Sequence, residues 1–373
     1  MIYSSFPAAL VISRRSLLRN AALGFGAPLI NRGRYALFAQ SEIAYSALTL
    51  ELVRAATVID MLGLVTLDFR KLSAWQAQPA RFLPADFQKL KDSGITIFHP
   101  AVGYTDGDVY QSSLRDITGW NSLIAARPDD FLRIDRPTDL ESAKKLGKIG
   151  IVIGQQNSMH FRTVEDVDSF YGLGQRISQL TYKHNRIGGG SSDASDLGLS
   201  GYGAQILDRM NAVGMAVDVS HCSDRTTLDA IEASKKPVLI THANCRALVP
   251  NSPRCKTDDA IQRAAAKGGV IGVTMVRYFV RPGGSATIED VLDHIDHVVR
   301  LVGIEHVGLG SDVDLAGRDG IRPKRKNDLD GIDYSKKIYD LTEGLLRRKY
   351  SSRDIQLILG GNFQRALSAI WAV

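Results

Sequence analysis

Residues 214–243, GMAVDVSHCSDRTTLDAIEASKKPVLITHA, contain two short apolar runs separated by an amphipathic segment of helical length. The first run is GMAVDVSH (214–221) and the second is PVLITHA (237–243). Nearly continuous apolar runs of this length are typical of strands buried on both faces of a parallel sheet. The segment between them, DRTTLDAIEASKK (224–236), predicts a helix. The stretch therefore predicts a strand–helix–strand unit of an α/β fold.

The same unit recurs along the chain. Six further apolar runs are TVIDMLGL (57–64), GITIFHPAV (94–102), IGIVIGQQN (149–157), RISQLTYKH (176–184), GVIGVTMV (269–276) and HVGLGSDVD (306–314). Helix-length segments lie between most of them, for example at 84–94, 164–174 and 257–269. Eight strands alternating with helices predict a (β/α)₈ TIM-type barrel. The alternative is an open doubly wound sheet, but no G-x-G-x-x-G turn follows any run. Residues 103–148 and 315–350 are interpreted as insertions over one face.

The composition is that of a globular protein with ample apolar material for a large core: 373 residues, 44% hydrophobic and 23% charged. The formal charge is +6. The sequence does not interleave aromatic and basic residues, and it has no helix-turn-helix or zinc-finger spacing, so no nucleic-acid partner is expected. The basic segment 318–326 is interpreted as a solvated loop. Three cysteines, Cys222, Cys245 and Cys255, are too few and too irregular for a disulfide framework.

The N-terminal segment has the order of an export signal. SRRSLLRNAALGFGAPLI (13–30) places arginines before a short apolar stretch that is too short to span a membrane. Ser13 to Arg19 resembles the twin-arginine signal, which implies the export machinery as a partner and a periplasmic location. Residues 1–39 are therefore predicted to be the signal and 40–373 a single barrel domain. An uncleaved signal would act as a membrane anchor.

Polar residues at the predicted strand ends indicate where the chemistry lies, because barrel active sites form at the C-terminal ends of the strands. His221 and His242 end successive strands, and neighbouring strands are about 4.8 Å apart. Both imidazoles can therefore reach one cation. Asp312, after the eighth strand, can supply a carboxylate ligand or take a proton from water. The three residues together predict metal binding or catalysis.

Four ordered motifs, AVDVSHCS, VLITHANCRAL, PRCKTDDAI and VGLGSDVD, resemble the membrane dipeptidases, the renal-dipeptidase-like metallopeptidases. The resemblance runs from about residue 55 to the end, and it implies a metallo-dependent-hydrolase barrel, two zinc ions and dipeptide substrates. It also implies that His221 and His242 bind one zinc and that Arg254 binds the substrate carboxylate. Asp312 matches the aspartate that handles the catalytic proton. Tyr182 stands where the family has a substrate-contacting histidine, with His184 close behind as a second acid/base candidate.

The chain departs from the family pattern at the other zinc. The family's first strand ends D-x-H-x-D, and here Leu62 and Leu64 replace its His and Asp. The bridging glutamate of the third strand is Gln155. Leucine cannot bind zinc and a neutral amide binds it poorly, so at most one metal is expected. His221 and His242 would hold it, with Gln155, Asp312 or His99 as third ligand. His99 in TIFHP is equally well interpreted as a hydrogen-bonded residue of the barrel mouth.

Three hypotheses follow. The first is a zinc-dependent hydrolase with a one-metal centre that cleaves a dipeptide or a similar small amide. The second is an inactive barrel that binds a small carboxylate ligand through Arg254. The third is a metal-free enzyme in which Tyr182, His184 or His242 acts as acid or base. Chelator-sensitive turnover favours the first, ligand binding without turnover the second, and chelator-resistant turnover the third. The sequence is also compatible with a homodimer.

Overall fold

The structure of the protein is a computed structural model that describes residues 34–35, 45–320 and 326–372. The chain forms two units, Met1–Glu51 and Leu52–Val373. In the first, strands β1 (Arg34–Tyr35) and β2 (Tyr45–Ser46) pair antiparallel. Apart from β1, the predicted export signal at residues 1–39 lies outside the described residues. Within the described ranges, none of the helices has the length and apolarity needed to cross a membrane.

The second unit contains ten short strands, and every predicted apolar run includes at least one of them. They are β3 (Ile59–Asp60), β4 (Ile97–Phe98), β5 (Phe131–Arg133), β6 (Ile149–Ile151), β7 (Gly154–Gln155), β8 (Ile177–Gln179), β9 (Ala216–Asp218), β10 (Ile240–Ala243), β11 (Ile271–Val273) and β12 (Val307–Leu309). The third run holds both β6 and β7. Strand β5 was not predicted, because only Phe131 of its three residues is buried and they form no apolar run.

Parallel pairing runs continuously around the barrel. One sheet has the order β10-β11-β12-β3-β4-β6-β5 and the other the order β7-β8-β9. Val102, after β4, bridges to Gln155 of β7, and Asp218 of β9 bridges to Leu239 beside β10. At the second junction the Leu239 N–H donates to Val217 O at 2.9 Å, and the Val219 N–H donates to Leu239 O at 3.0 Å. The predicted (β/α)₈ barrel is confirmed, with β5 as an extra strand beside β6.

Helices connect most successive strands, as the amphipathic segments predict. They are α1 (Ala47–Ala55), α2 (Phe69–Ala77), α3 (Pro84–Asp92), α4 (Val109–Ala126), α5 (Pro137–Lys145), α6 (Asp166–Gly172), α7 (Gly201–Val213), α8 (Asp224–Ala233), α9 (Asp258–Ala266), α10 (Arg277–Val280), α11 (Ile288–Val302), α12 (Lys337–Arg347), α13 (Ser352–Gln356) and α14 (Asn362–Trp371). Side chains that accept backbone N–H groups start several of them, such as Ser223 before α8 and Thr257 before α9. The insertion at 103–148 contains α4, β5 and α5.

The core is formed by the apolar side chains of the strands and the inner faces of the helices. One cluster fills the barrel around Ile59, Ile97 and Leu239 and continues to Phe363 of α14. A small separate cluster consists of Leu62, Leu64, Leu67 and Ala101, which follow β3 and β4. Because these residues lie beyond the C-terminal ends of their strands, this cluster forms one side of the barrel mouth.

Candidate active site

Two histidines face each other at the ends of β9 and β10. His221 Nε2 and His242 Nε2 are 3.1 Å apart. The sequence predicted this pairing, because adjacent parallel strands bring their C-terminal ends together. Burial, and next the positive charge of Arg254, hold the pKa of each imidazole well below its usual range. Both rings are therefore neutral, which is the form that binds a metal ion.

A buried carboxylate fixes the orientation of His242. Thr241 Oγ1 donates to Asp218 Oδ2 at 2.7 Å and lies 2.8 Å from His242 Nδ1. Because the Thr241 hydroxyl donates its proton to Asp218, it can only accept a hydrogen bond from His242 Nδ1–H. His242 is therefore protonated on Nδ1, and its free lone pair is on Nε2. Asp218 also accepts hydrogen bonds from the backbone N–H and the hydroxyl of Ser220. This support is of the kind that orients metal-binding histidines.

Arg254 lies beneath the histidine pair. Its Nη1 donates to Ser220 O at 2.7 Å and its Nη2 to His242 O at 2.6 Å. The side chain is buried, and its Nε–H has no hydrogen-bond partner among the described residues. Its guanidinium carbon is 5.3 Å from the centre of the Phe279 ring. Arg254 is thus anchored through two backbone carbonyls, with further N–H groups left to bind an anion.

Tyr182 follows β8 and covers the ring of His221. Its ring stacks on His221 with 4.1 Å between ring centroids and an interplanar angle of 22°. Gly103, after β4, packs against this ring, since a Cβ there would lie 2.7 Å from Tyr182 Cδ2. Burial raises the pKa of the Tyr182 hydroxyl. At neutral pH this hydroxyl is therefore a hydrogen-bond donor or acceptor and not an anion.

Asp312 forms a buried ion pair that the sequence did not predict. Arg318 Nη2 donates to Asp312 Oδ1 at 3.2 Å, and both side chains are only about one-tenth exposed, at 11% and 10%. Asp312 has φ 58°, in the left-handed region that is unfavourable for a residue with a Cβ. Within the segment 318–326, interpreted as solvated, Arg318 is instead buried; Lys326 is exposed, and residues 321–325 lie outside the described part of the chain.

The opposite side of the mouth is apolar, as Leu62 and Leu64 predicted. Both are buried, and the Leu62 carbonyl accepts a hydrogen bond from the Asp312 N–H at 3.0 Å. Gln155 turns toward helix α4, where its Nε2 donates to Asp116 Oδ2 at 2.8 Å and its Oε1 accepts from Ser113. Burial raises the pKa of Asp116 to about 6. Both ends of the Gln155 amide thus have partners in α4.

The other two predicted site residues lie in different surroundings. His99 is buried, its Nδ1–H donates to Met61 O at 2.6 Å, and its Nε2 has no partner. Gly154 of β7 makes room for this ring, because a Cβ there would lie 2.0 Å from Nε2. His184 is exposed on the loop after β8, where its backbone N–H donates to Asp193. The structure brings together His221, His242, Arg254, Tyr182 and Asp312, and it leaves His184 outside this group.

The histidine pair matches the geometry of a single metal site. Two nitrogens bound to one tetrahedral Zn²⁺ at 2.0–2.1 Å are expected to lie about 3.3 Å apart, close to the 3.1 Å observed. Residues 45–320 and 326–372 contain no group of three or more His, Cys, Asp or Glu side chains placed to hold a metal ion. His221 and His242 therefore supply two nitrogen ligands at a spacing that suits one ion. The leucine side chains at positions 62 and 64 supply no ligand, and the Gln155 amide is bonded to α4.

Comparison with known proteins gives a consistent family match. The profile of "Membrane dipeptidase (Peptidase family M19)" matches residues 48–373. An uncharacterized dipeptidase of Schizosaccharomyces pombe is 34% identical over 229 residues, covering 58% of this chain and 55% of that protein. Dipeptidase 3 of Rattus norvegicus is 27% identical over 273 residues, covering 71% of this chain and 53% of that protein. The chain thus spans about half the length of the curated relatives it matches.

Solved structures support the same fold. The crystal structure of an amidohydrolase from Pseudomonas aeruginosa is 31% identical, with a TM-score of 0.75, and the match covers 87% of this chain and 99% of that one. A metallopeptidase from Rhodobacter sphaeroides, liganded with a phosphinate mimic of the dipeptide L-Ala-D-Ala, has a TM-score of 0.70 at 19% identity, over 85% and 99% of the two chains. At that identity the second match supports the barrel fold alone.

Proposed function

The chain belongs to the membrane dipeptidase family, peptidase family M19, and from this premise we propose that it hydrolyses a dipeptide or a similar small amide at a one-metal centre. The observation that carries the proposal is the convergence of His221 Nε2 and His242 Nε2 to 3.1 Å, with His242 oriented through Thr241 and Asp218. The leucines at positions 62 and 64 support one metal in place of two.

His221 and His242 would hold the metal, for which zinc is the family's expected ion. When bound there, zinc supplies a Lewis acid that polarises the scissile carbonyl and makes the attacking water more acidic. Buried neutral imidazoles suit this task, since protonated ones cannot bind the ion. His99 remains a proposed third ligand because its buried Nε2 has no hydrogen-bond partner.

The remaining residues of the mouth bind the substrate and transfer its proton. Arg254 binds the substrate carboxylate through N–H groups that its two carbonyl contacts leave over. In the hydrolysis, the hydroxyl of water bonds to the carbonyl carbon and the C–N bond breaks. Asp312 takes the proton of the water and returns it to the leaving nitrogen. Tyr182, stacked on His221, lies where it can donate a hydrogen bond to the substrate.

The test combines metal counting with hydrolysis assays on the purified chain. We expect about one zinc ion per chain, turnover of small amides that a chelator abolishes, and restoration by added zinc. His242→Asn should lose the zinc and more than about a hundredfold in kcat/KM. The matched control is His297→Asn, because His297 lies on α11 and contacts Asp258, outside the barrel mouth. This control should keep both the zinc and the activity.

Two outcomes would replace this function with another. Binding of a small carboxylate without turnover, even with added zinc, would identify the non-catalytic barrel, which the apolar Leu62–Leu64 corner favours. Turnover that resists chelator would identify a metal-free acid/base enzyme that uses Tyr182, His184 or His242. Equal zinc content in the wild type and in His242→Asn would contradict the proposed centre directly.

We also propose that the chain is exported to a periplasm, on the basis of the Ser13 to Arg19 motif alone. Replacing Arg14 and Arg15 together with lysine should retain the protein in the cytoplasm of a bacterial host, as measured by cell fractionation. Unchanged export of this variant would contradict the twin-arginine interpretation.

A further inference from the structure

The charges around the histidine pair are predominantly positive. Arg254 and Arg318 both lie near His221 and His242, and the buried Lys256 lies near His221. Both described hydrogen bonds of Arg254 go to backbone carbonyls, so no carboxylate of the described residues forms an ion pair with it. A carboxylate ligand is attracted to this environment, whereas an ammonium group is repelled.

The nearby buried carboxylates already have partners of their own. Among the described residues of the mouth they are Asp60 with Ser311 and Lys337, Asp116 with Gln155, Asp218 with Ser220 and Thr241, Asp312 with Arg318, and Asp314 with the backbone N–H groups of Leu67 and Ala316. A substrate ammonium ion that entered the site would have to share one of these carboxylates with its present partners and compete with them. A buried charge without a partner is strongly unfavourable.

The side of the mouth beside Asp312, which we call the Leu62–Leu64 corner, is lined by aliphatic side chains. Leu62, Leu64, Leu67 and Ala101 are all buried, with exposed fractions of 6% or less. The cluster adjoins the site at two points: the Leu62 carbonyl bonds to the Asp312 N–H, and Gly103, two residues after Ala101, contacts the Tyr182 ring. A substrate group that lies toward this corner meets neither a charge nor a hydrogen-bonding side chain from the cluster.

We propose that the substrate is an N-acyl amino acid: a free carboxylate bound by Arg254, and an uncharged, apolar acyl group directed toward the Leu62–Leu64 corner. This inference rests on the proposed hydrolase function and specifies its substrate class. Water adds its hydroxyl to the acyl carbonyl carbon, the amide C–N bond breaks, and the nitrogen gains a proton. The products are a carboxylic acid and a free amino acid. A dipeptide differs in carrying an α-ammonium group, for which the described residues offer no available carboxylate.

The test compares two compounds that differ only in that ammonium group, leucylglycine and 4-methylpentanoylglycine. We expect kcat/KM to be at least about tenfold higher for 4-methylpentanoylglycine, because leucylglycine must bring an unpaired charge into the site. Calorimetric titration of the chelator-treated full chain with both compounds gives the same comparison without turnover. There, 4-methylpentanoylglycine should bind at least about tenfold more tightly.

Substitutions at Leu64 test whether the apolar corner causes the preference. Leu64→Asp supplies a carboxylate and should shift the ratio of the two kcat/KM values at least about tenfold toward leucylglycine. Leu64→Asn, of the same shape but uncharged, should shift it far less. An equal shift of the kcat/KM ratio in Leu64→Asp and Leu64→Asn would contradict a role for the charge of the introduced carboxylate.

The outcomes separate this inference from the proposed function. Faster hydrolysis of leucylglycine than of 4-methylpentanoylglycine by the wild type would overturn the N-acyl substrate class and leave the hydrolase intact. Hydrolysis of neither compound by zinc-loaded protein would count against the hydrolase itself. In that case the binding ratio decides: tighter binding of leucylglycine overturns the inference, and tighter binding of 4-methylpentanoylglycine supports it. If both Leu64 variants fail to fold, the wild-type ratios still decide between the two substrate classes.

Discussion

On the β9–β10 side of the barrel mouth, His221 and His242 bring their Nε2 atoms to 3.1 Å, whereas on the β3 side Leu62 and Leu64 pack with other apolar residues. We call these the histidine side and the leucine side. Each side has a buried aspartate at the end of its strand that accepts a hydrogen bond from a serine hydroxyl. On the histidine side these are Asp218 and Ser220, and on the leucine side they are Asp60 and Ser311.

The two networks differ in what they support. Asp218 continues through Thr241 to a ring nitrogen of His242. Asp60 continues to Lys337, whose Nζ lies 3.6 Å from Asp60 Oδ2 and also donates to Val313 O. The leucine side therefore keeps a polar network that holds the end of β3 against β12, although no metal-binding side chain depends on it.

The largest expected effect tests whether the network of the leucine side is structural. Lys337→Met leaves Asp60 as a buried carboxylate without its cation, since both side chains are fully buried. The free energy of unfolding, measured by chemical denaturation, should fall by about 3–5 kcal/mol. Lys326→Met is the control, because Lys326 pairs with Asp330 at the surface and should cost less than about 1 kcal/mol. Equal effects of the two substitutions would show that the buried pair has no special role.

The next effect concerns Asp116, which fixes Gln155 against helix α4. Burial raises its pKa from 3.8 to about 6. Between pH 3.8 and about pH 6, Asp116 is therefore protonated in the folded state and ionised in the unfolded state. The stabilisation from Asp116 is therefore complete below about pH 4 and is lost as the pH rises through 6.

Unfolding free energies measured from pH 3.5 to 7.5 test this dependence. Over that range, wild type should lose about 2–3 kcal/mol relative to Asp116→Asn. Asp129→Asn, at an exposed position, should give a curve parallel to that of wild type. A parallel curve for Asp116→Asn as well would contradict the raised pKa.

The smallest expected effect compares the two aspartates directly. Asp218→Asn weakens the support of His242 and should lower zinc affinity by about 10–100-fold, measured by competition with a chromophoric chelator. Asp60→Asn makes the same change on the leucine side and should leave the zinc affinity of the folded protein unchanged. Similar losses in both variants would mean that the metal depends on both sides of the mouth, against the one-metal centre.

Much of the fold could be predicted from local pattern. Each of the eight apolar runs contains a barrel strand, because a parallel strand buried on both faces must be apolar along most of its length. The meeting of His221 and His242 could be predicted for the same reason, since they end strands adjacent in sequence and in space. Strand β5 could not be predicted, because a three-residue strand at the edge of the sheet does not form an apolar run.

The features of the site that escaped prediction are the burial and the hydrogen-bond partners of particular side chains. Arg318 lies only six residues after Asp312, but nothing in the sequence indicates that the two side chains form a buried ion pair. Gln155 occupies a predicted metal-ligand position, yet its amide is bonded to Asp116 and Ser113 of the helix inserted after β4. The serine two residues after Asp218 was the available local signal for the carboxylate that supports His242.

The sequence by itself determined the barrel, the histidine pair and the absence of a metal-binding side chain at positions 62 and 64, since strand order and residue type suffice for these conclusions. Only the tertiary structure decided where the charges lie: Arg318 on Asp312, Asp116 on Gln155 and Lys337 on Asp60. The physical reason is that burial and pairing of a charged side chain depend on long-range packing, and no local pattern records which distant segment covers it.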